Sequence, residues 1–396
     1  MTKTWTGVFA TLGLLAGSAA TAAVPANAPA PARDDLKLVV DAQAAQVMRQ
    51  YGVPGMAVAV VEGGLVRVFN YGVASTQTRV PVAGDTLFEI GSVSKTFAAT
   101  LAAYAQGEGR LSLADPAAKH LPWLQGTPLG NVPLTELATH TSGLPLQLPA
   151  KVTDERGFEN YLRAFRPPFV PGTRRQYSNS GIAVLGLAAA ASLGTDYATA
   201  VQTRMLPALG LRHTWMEVPA SEMARYAQGY AKTGAPIRMT PSPVSPEAYG
   251  IRTTAADMAR YLQIQMGLVP VDSQWHTAVA LTHTGFYAAG TFTQDLVWEQ
   301  YPCPVGFAAL HAGCAQRMAL ESSPATALNP PMRPRADVLV NKTGATGGFS
   351  TYVAFLPASK VGVVILANRA GISGAARVDA ACAILRSLAP EAFAAK

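Results

Sequence analysis

Apolar residues recur at helical spacing from Leu36 to Met48 and then give way to two β-rich runs, Gly55 to Val61 and Leu65 to Phe69. Gly63 and Gly64 separate these runs, so the pattern predicts a helix followed by a β-hairpin. From Ser92 to about Gly107 the pattern changes. Thr96 to Ala105 is apolar almost all round, which predicts a helix buried inside the protein rather than laid on its surface. Between about 110 and 335, short helical patterns such as 181–191 and 254–266 alternate with long loops containing Pro and Gly. The end of the chain is β-rich again. Val338–Val340, Thr351–Leu356 and Val361–Ala367 predict an antiparallel meander, followed by a helix from about Ala375 to Leu388.

Strands at both ends and helices between them imply an α/β fold of the α+β type. Residues 36–90 and 336–396 are expected to close into one antiparallel sheet flanked by helices. Residues 91–335 are expected to form a mainly helical domain, with the candidate site between the two. The N-terminus has a different character. Lys3 is the only charge before Arg33, the apolar run Val8–Ala16 is too short to span a membrane, and Ala20-Thr21-Ala22 offers a small-residue cleavage site. Residues 1–22 therefore read as a secretory signal peptide and 23–35 as a flexible tether, giving a periplasmic protein free of the membrane after cleavage.

Composition narrows the classes. A hydrophobic fraction of 49% excludes disorder for the bulk of the chain. The net charge of +7 comes from scattered basic residues, and no Lys/Arg-rich run interleaved with aromatics is present, which argues against nucleic acid as a partner. Cys303 and Cys314 stand close enough in sequence to close a small disulfide loop, whereas Cys382 falls in an apolar helical pattern and reads as core. His120, His140, His213, His276, His283 and His311 show no metal-ligand spacing, and no phosphate-cradling Gly-Lys loop occurs, so the reading calls for no metal and no cofactor.

Three short motifs carry possible chemistry: Ser92-Val93-Ser94-Lys95, Tyr177-Ser178-Asn179 and Lys342-Thr343-Gly344. Ser92 is the only serine with a lysine three residues on. In a helix that spacing puts Lys95 beside Ser92, where a lysine with a lowered pKa could serve as the base that a serine nucleophile needs. The plain alternative is a helix N-cap followed by a solvated lysine. Tyr177 could act as a base only if cations lowered its phenol pKa by about three units, which Lys95 and Lys342 could supply. Asn179 offers a donor and an acceptor for a substrate amide, or is simply a turn residue. Lys-Thr-Gly also occurs at Lys232, followed by Ala235-Pro236, and there it reads as a turn. The copy at Lys342 ends an apolar strand and runs into Gly347 and Gly348, an edge that a ligand backbone could approach.

In this order the motifs resemble those of the penicillin-recognising serine enzymes, and the flanking sequence is similar to the class C β-lactamases, or cephalosporinases. The similar stretches are 54–60, 87–97, 143–147, 247–250 and 342–349, and the resemblance runs from about residue 36 to 390. It implies the β-lactamase/DD-peptidase fold and hydrolysis of the lactam amide of cephalosporins and penicillins by a monomer. Within it, Ser92 corresponds to the acylated nucleophile, and Lys95 and Tyr177 to the proton-handling pair, either of which could be the base. Gln147 and Asn179 correspond to contacts with the side-chain amide, and Lys342 and Thr343 to the group receiving the substrate carboxylate. Ser92 and Ala345 would supply the oxyanion-hole N–H groups, Gly344 lies within the substrate-binding strand edge, and Tyr249 corresponds to an aromatic wall. The chain departs from the family at Ser142-Gly143, where two glycines are frequent, at Asn341 in place of histidine, and over 368–377. In that last segment Ser373 is a substitute for an asparagine near the carboxylate and Arg377 is retained. A D-alanyl-D-alanine peptidase, a related serine esterase and a non-catalytic sensor are the competing readings on the same fold.

Overall fold

The computed structural model describes residues 1–2 and 33–395. Nearly all of the expected signal peptide and of the expected tether lies outside the described residues. The chain enters through helix α1 (Arg33–Tyr51) and the hairpin β1 (Gly55–Glu62) and β2 (Leu65–Gly72). Four further strands follow the helical middle of the chain: β3 (Gly285–Ala289), β4 (Phe292–Gln294), β5 (Glu299–Pro302) and β6 (Thr326–Met332). The C-terminal meander is β7 (Val338–Ala345), β8 (Ser350–Leu356) and β9 (Val361–Ala367). Together they form a nine-stranded antiparallel sheet in the order β6-β3-β4-β5-β7-β8-β9-β1-β2. The N-terminal hairpin joins the C-terminal meander through β1 and β9, with Val58 opposite Ile365.

The sheet is covered on both faces, and this explains why β8 and β9 read as continuous apolar runs rather than alternating ones. Met56, Val58, Val363, Ile365 and Tyr352 pack toward α1 and a C-terminal helix. Ala57, Ala59, Val353, Phe355 and Val364 pack toward the helical layer. That layer includes α2 (Lys95–Gly107), α3 (Asn179–Ser192), α4 (Ser245–Tyr249), α5 (Ala255–Gln265) and α6 (Ser273–Thr282); the C-terminal helix is α7 (Gly374–Leu388). Helix α2 is surrounded as its composition requires, packing against α3, α4 and α6 with Phe97, Leu101 and Ala105 fully buried.

Two expectations are corrected. The stretch 91–335 is not helical to its end, since β3–β6 lie within 285–332 and extend the sheet by four strands. Their runs are only three to seven residues long and interrupted by turns, so the sequence signal is weak. Cys303 and Cys314 are free thiols rather than a disulfide. The helix Phe307–Gly313 stands between them, so their nearness in sequence says little about whether the two sulfurs can meet.

Candidate active site

Ser92 does not begin an α-helix. It sits in a 3-10 turn, Gly91–Ser94, that leads into α2 at Lys95. Side chains three apart eclipse in such a turn, so the Ser-x-x-Lys spacing still brings the pair together. Lys95 is fully buried, and its Nζ donates to Ser92 Oγ at 2.9 Å and to the Ala248 carbonyl in α4 at 2.8 Å. The capping alternative fails on geometry, because no side-chain cap bond forms at the start of either the turn or α2. Burial brings the Lys95 ammonium down to about 8; Tyr177 opposes the fall and Lys342 adds to it.

The turn is locked against β7 by two glycines. Gly91 has φ +53°, and a Cβ there would stand 2.5 Å from both the nitrogen and the oxygen of Ala345. A Cβ on Gly344 would stand 2.1 Å from the Ile90 carbonyl oxygen. The backbones on either side of Ser92 and Ala345 are thus in direct contact.

Tyr177 lies just before α3, whose N-cap Ser178 accepts from Gly181 N at 2.8 Å. The phenol is buried, and its hydroxyl meets no partner in hydrogen-bonding geometry among the described residues. Lys95 Nζ and Lys342 Nζ stand 5.1 and 5.0 Å from its ring centroid. Burial would push the phenol up, but the Lys342 and Lys95 charges, helped by the nearby Ser92 hydroxyl, outweigh it and bring it down to about 8. Asn179 opens α3, and its Nδ2 donates to Gln147 Oε1 at 3.2 Å while its Oδ1 is buried without a partner among the described residues. Lys342 on β7 is buried, its Nζ donating to the Thr343 carbonyl at 3.0 Å.

Ser92, Gln147, Tyr177, Asn179, Tyr249, Lys342, Thr343, Gly344, Ala345 and Ser373 all line one cleft of about 680 Å³. Lys95, the remaining residue given a catalytic or substrate-binding role from the sequence, lies outside that lining. Tyr249 closes one side, its hydroxyl 2.5 Å from Ser242 Oγ. Ser373 is the N-cap of α7 and also meets the Tyr51 hydroxyl at 2.8 Å, so its side chain is already engaged. Arg377 is buried and turned inward, donating from Nη1 to the carbonyls of Gly344 at 2.7 Å and Thr351 at 2.8 Å; it braces the edge of β7.

Several residues escaped the sequence reading. The ring of His140 lies 4.2 Å from that of Tyr177, and burial, with Arg175, Lys95 and Lys342 nearby, holds the imidazole well below its ordinary pKa. On Tyr177 also rests the buried Arg175, 5.4 Å from the ring centroid and paired with Glu299 at 2.9 Å. Glu89 accepts from the hydroxyls of Tyr226 and Thr346 and from Met239 N, tying three loops around the cleft together. None of these pairings has a local signal, since the partners lie more than a hundred residues apart or are set by burial. Lys232, read as a turn residue, does stand in a turn, but that turn is at the rim of the same cleft.

Chemically, this arrangement is an activated serine with proton acceptors close by and polar groups placed to hold an acyl substrate. The sequence matches the family model described as Beta-lactamase over residues 40–385. A β-lactamase of Pseudomonas fluorescens is 44% identical over 89% of this chain and 99% of its own length. One from Escherichia coli (strain K12) is 38% identical over 86% of this chain and 91% of its own. A solved class C β-lactamase in complex with cefoxitin has a TM-score of 0.87 at 43% identity, covering 89% of this chain and 99% of that one. A D-alanine carboxypeptidase from Burkholderia cenocepacia has a TM-score of 0.86 at 51% identity, covering 90% and 99%. This chain belongs to the β-lactamase family.

Proposed function

We infer that the protein is a serine β-lactamase of the class C type that opens the lactam amide of cephalosporins and penicillins. The observation that carries this is the buried Lys95 Nζ, 2.9 Å from Ser92 Oγ, with Tyr177 held between the two lysines. Ser92 Oγ attacks the lactam carbonyl carbon as its proton passes to the Lys95–Tyr177 pair. The N–H groups of Ser92 and Ala345 receive the oxyanion, and their contact across Gly91 keeps them together. The C–N bond then breaks, the pair delivers the proton to the leaving nitrogen, and an ester on Ser92 remains. Water, deprotonated by the same pair, attacks that ester and releases the ring-opened acid with Ser92 restored. Gln147 and Asn179 orient the substrate's side-chain amide, Thr343 and Lys342 receive its carboxylate with Gly344 and Ser373 on the same wall, and Tyr249 packs against its side chain.

Export with removal of residues 1–22 and action as a monomer in the periplasm complete the reading; the charge and apolar pattern of the N-terminus supports the export. N-terminal sequencing of the mature protein tests it. For the chemistry, the test is hydrolysis of a chromogenic cephalosporin by the wild type and by Ser92→Ala. Many turnovers per molecule, abolished in the variant, are expected. The D-alanyl-D-alanine peptidase reading has one observation in its favour, the likeness to the Burkholderia cenocepacia carboxypeptidase. It predicts a single burst and a persistent acyl adduct on Ser92 by mass spectrometry.

A further inference from the structure

Five cationic side chains line the cleft: Arg175, Lys232, Arg238, Lys342 and Arg377. Four of them are engaged within the protein. Arg175 is paired with Glu299, Arg238 donates to the Tyr226 and Ala227 carbonyls, Arg377 donates to Gly344 and Thr351, and Lys342 is buried with its Nζ on the Thr343 carbonyl. Lys232 is exposed, and its ammonium makes no hydrogen bond or ion pair with the described residues.

Its position is nonetheless fixed. The turn that carries it joins two short paired strands, Gly229–Tyr230 and Pro236–Ile237, and is closed by Ala231 N on the Ala235 carbonyl at 2.9 Å. Tyr230 bridges to Arg369, and Arg369 Nη2 donates to the Lys232 carbonyl at 3.0 Å. The lysine stem lies along Gly371, where φ is +86° and a Cβ would come within 2.6 Å of Lys232 Cγ and 2.8 Å of its Cε. A free surface lysine loses considerable rotamer freedom when it grips an anion; here the packed stem has lost much of it beforehand. Gly371 is two residues from Ser373, and through Arg377 this rim is tied to Gly344 and so to the Lys342–Thr343 end of β7.

We propose that Lys232 is a specificity-determining residue whose ammonium receives a second anionic group of the substrate, carried on the substituent next to the ring carboxylate. The inference rests on the lactamase reading, which places the ring carboxylate at Thr343 and Lys342. A carboxylate one substituent further along the nucleus emerges at the Gly371–Ser373 rim, beneath the one cation of the lining left unengaged among the described residues. A neutral substituent gains nothing there. An ion pair at an exposed rim is weak and screened, so its effect is a preference of a few fold rather than a requirement.

The experiment uses two cephalosporins with the same nucleus and acyl side chain. One carries a neutral substituent next to the ring carboxylate and the other a carboxylate-terminated one. The quantity read is the ratio of their kcat/KM values for wild type, Lys232→Ala, Lys232→Arg and Lys232→Glu at low and high salt. The ratio is expected to fall about three- to fivefold against the dianionic substrate in Lys232→Ala, chiefly through KM. It should fall further in Lys232→Glu, stay near wild type in Lys232→Arg, and converge among all four proteins at about 1 M salt. A ratio unchanged by Lys232→Ala and Lys232→Glu while both substrates are hydrolysed overturns the proposal alone. No turnover of either substrate by the wild type overturns the lactamase reading, and this inference with it.

Discussion

Gly344 and Ile90 meet so closely that a single methyl group on the glycine would stand 2.1 Å from the Ile90 carbonyl oxygen. One residue lies two positions before the serine, and the other lies on the strand that supplies Lys342, Thr343 and Ala345. The separation between serine and strand is therefore set by main chain against main chain, with no flexible side chain between to absorb a change. Arg377 reinforces the contact from the other side by holding the Gly344 carbonyl at 2.7 Å. Such a contact fixes the width of the gap between the serine turn and β7.

Substitution of Gly344 by Ala tests this directly. The added methyl must push β7 away from the turn, because neither partner atom belongs to a mobile side chain. A loss of about 1–3 kcal/mol in unfolding free energy is expected. The kcat/KM for a cephalosporin should fall about 100-fold, since a displacement of about 1 Å at a reacting centre has that effect. Denaturant unfolding and steady-state kinetics measure the two. Wild-type kinetics in Gly344→Ala would show that the spacing has no catalytic weight.

The acidity of Tyr177 follows from its two ammonium neighbours, so it should move when one is removed. With the phenol at about 8 in the wild type, ultraviolet difference titration should show one tyrosinate appearing near pH 8. Replacing Tyr177 by Phe should abolish that step. In Lys342→Met the step should shift upward, because the larger of the two stabilising charges is gone while the opposing burial remains. The limb of the pH–rate profile that reports this deprotonation should shift upward with it. A titration step that stays in place in Lys342→Met would remove the electrostatic account of Tyr177.

The cysteines give a check on the chain path between β5 and the cleft. Cys303, Cys314 and Cys382 are all free. Denatured protein purified without reductant should therefore titrate with three thiols, and its intact mass should not rise by two protons on reduction. In the folded state Cys314 should react slowly with thiol reagents, since burial, with Glu299 nearby, pushes its thiol up to about 12. One thiol rather than three would mean that the Phe307–Gly313 segment runs differently.

Much of this protein could be read from the order of its residues, because the signals concerned are local. Helix α1, the hairpin β1–β2, the meander β7–β9 and α7 declare themselves by period and turn chemistry, which depend on neighbours a few positions away. The three motifs and the long similar stretches around them likewise located Ser92, Tyr177 and Lys342. Tertiary structure decided what depends on remote partners. It placed the short strands β3–β6 in the sheet, since a run of three residues such as β4 has no pattern of its own and exists only when paired with its neighbours. Lys95 is a buried base candidate rather than a solvated lysine because folding buries it and brings the Ala248 carbonyl of α4 onto its ammonium. It also separated the two Lys-Thr-Gly copies, sinking Lys342 within the sheet while leaving Lys232 at the rim. Burial and long-range electrostatics are properties of chain segments brought together by folding, so neighbouring residues in the sequence do not encode them locally.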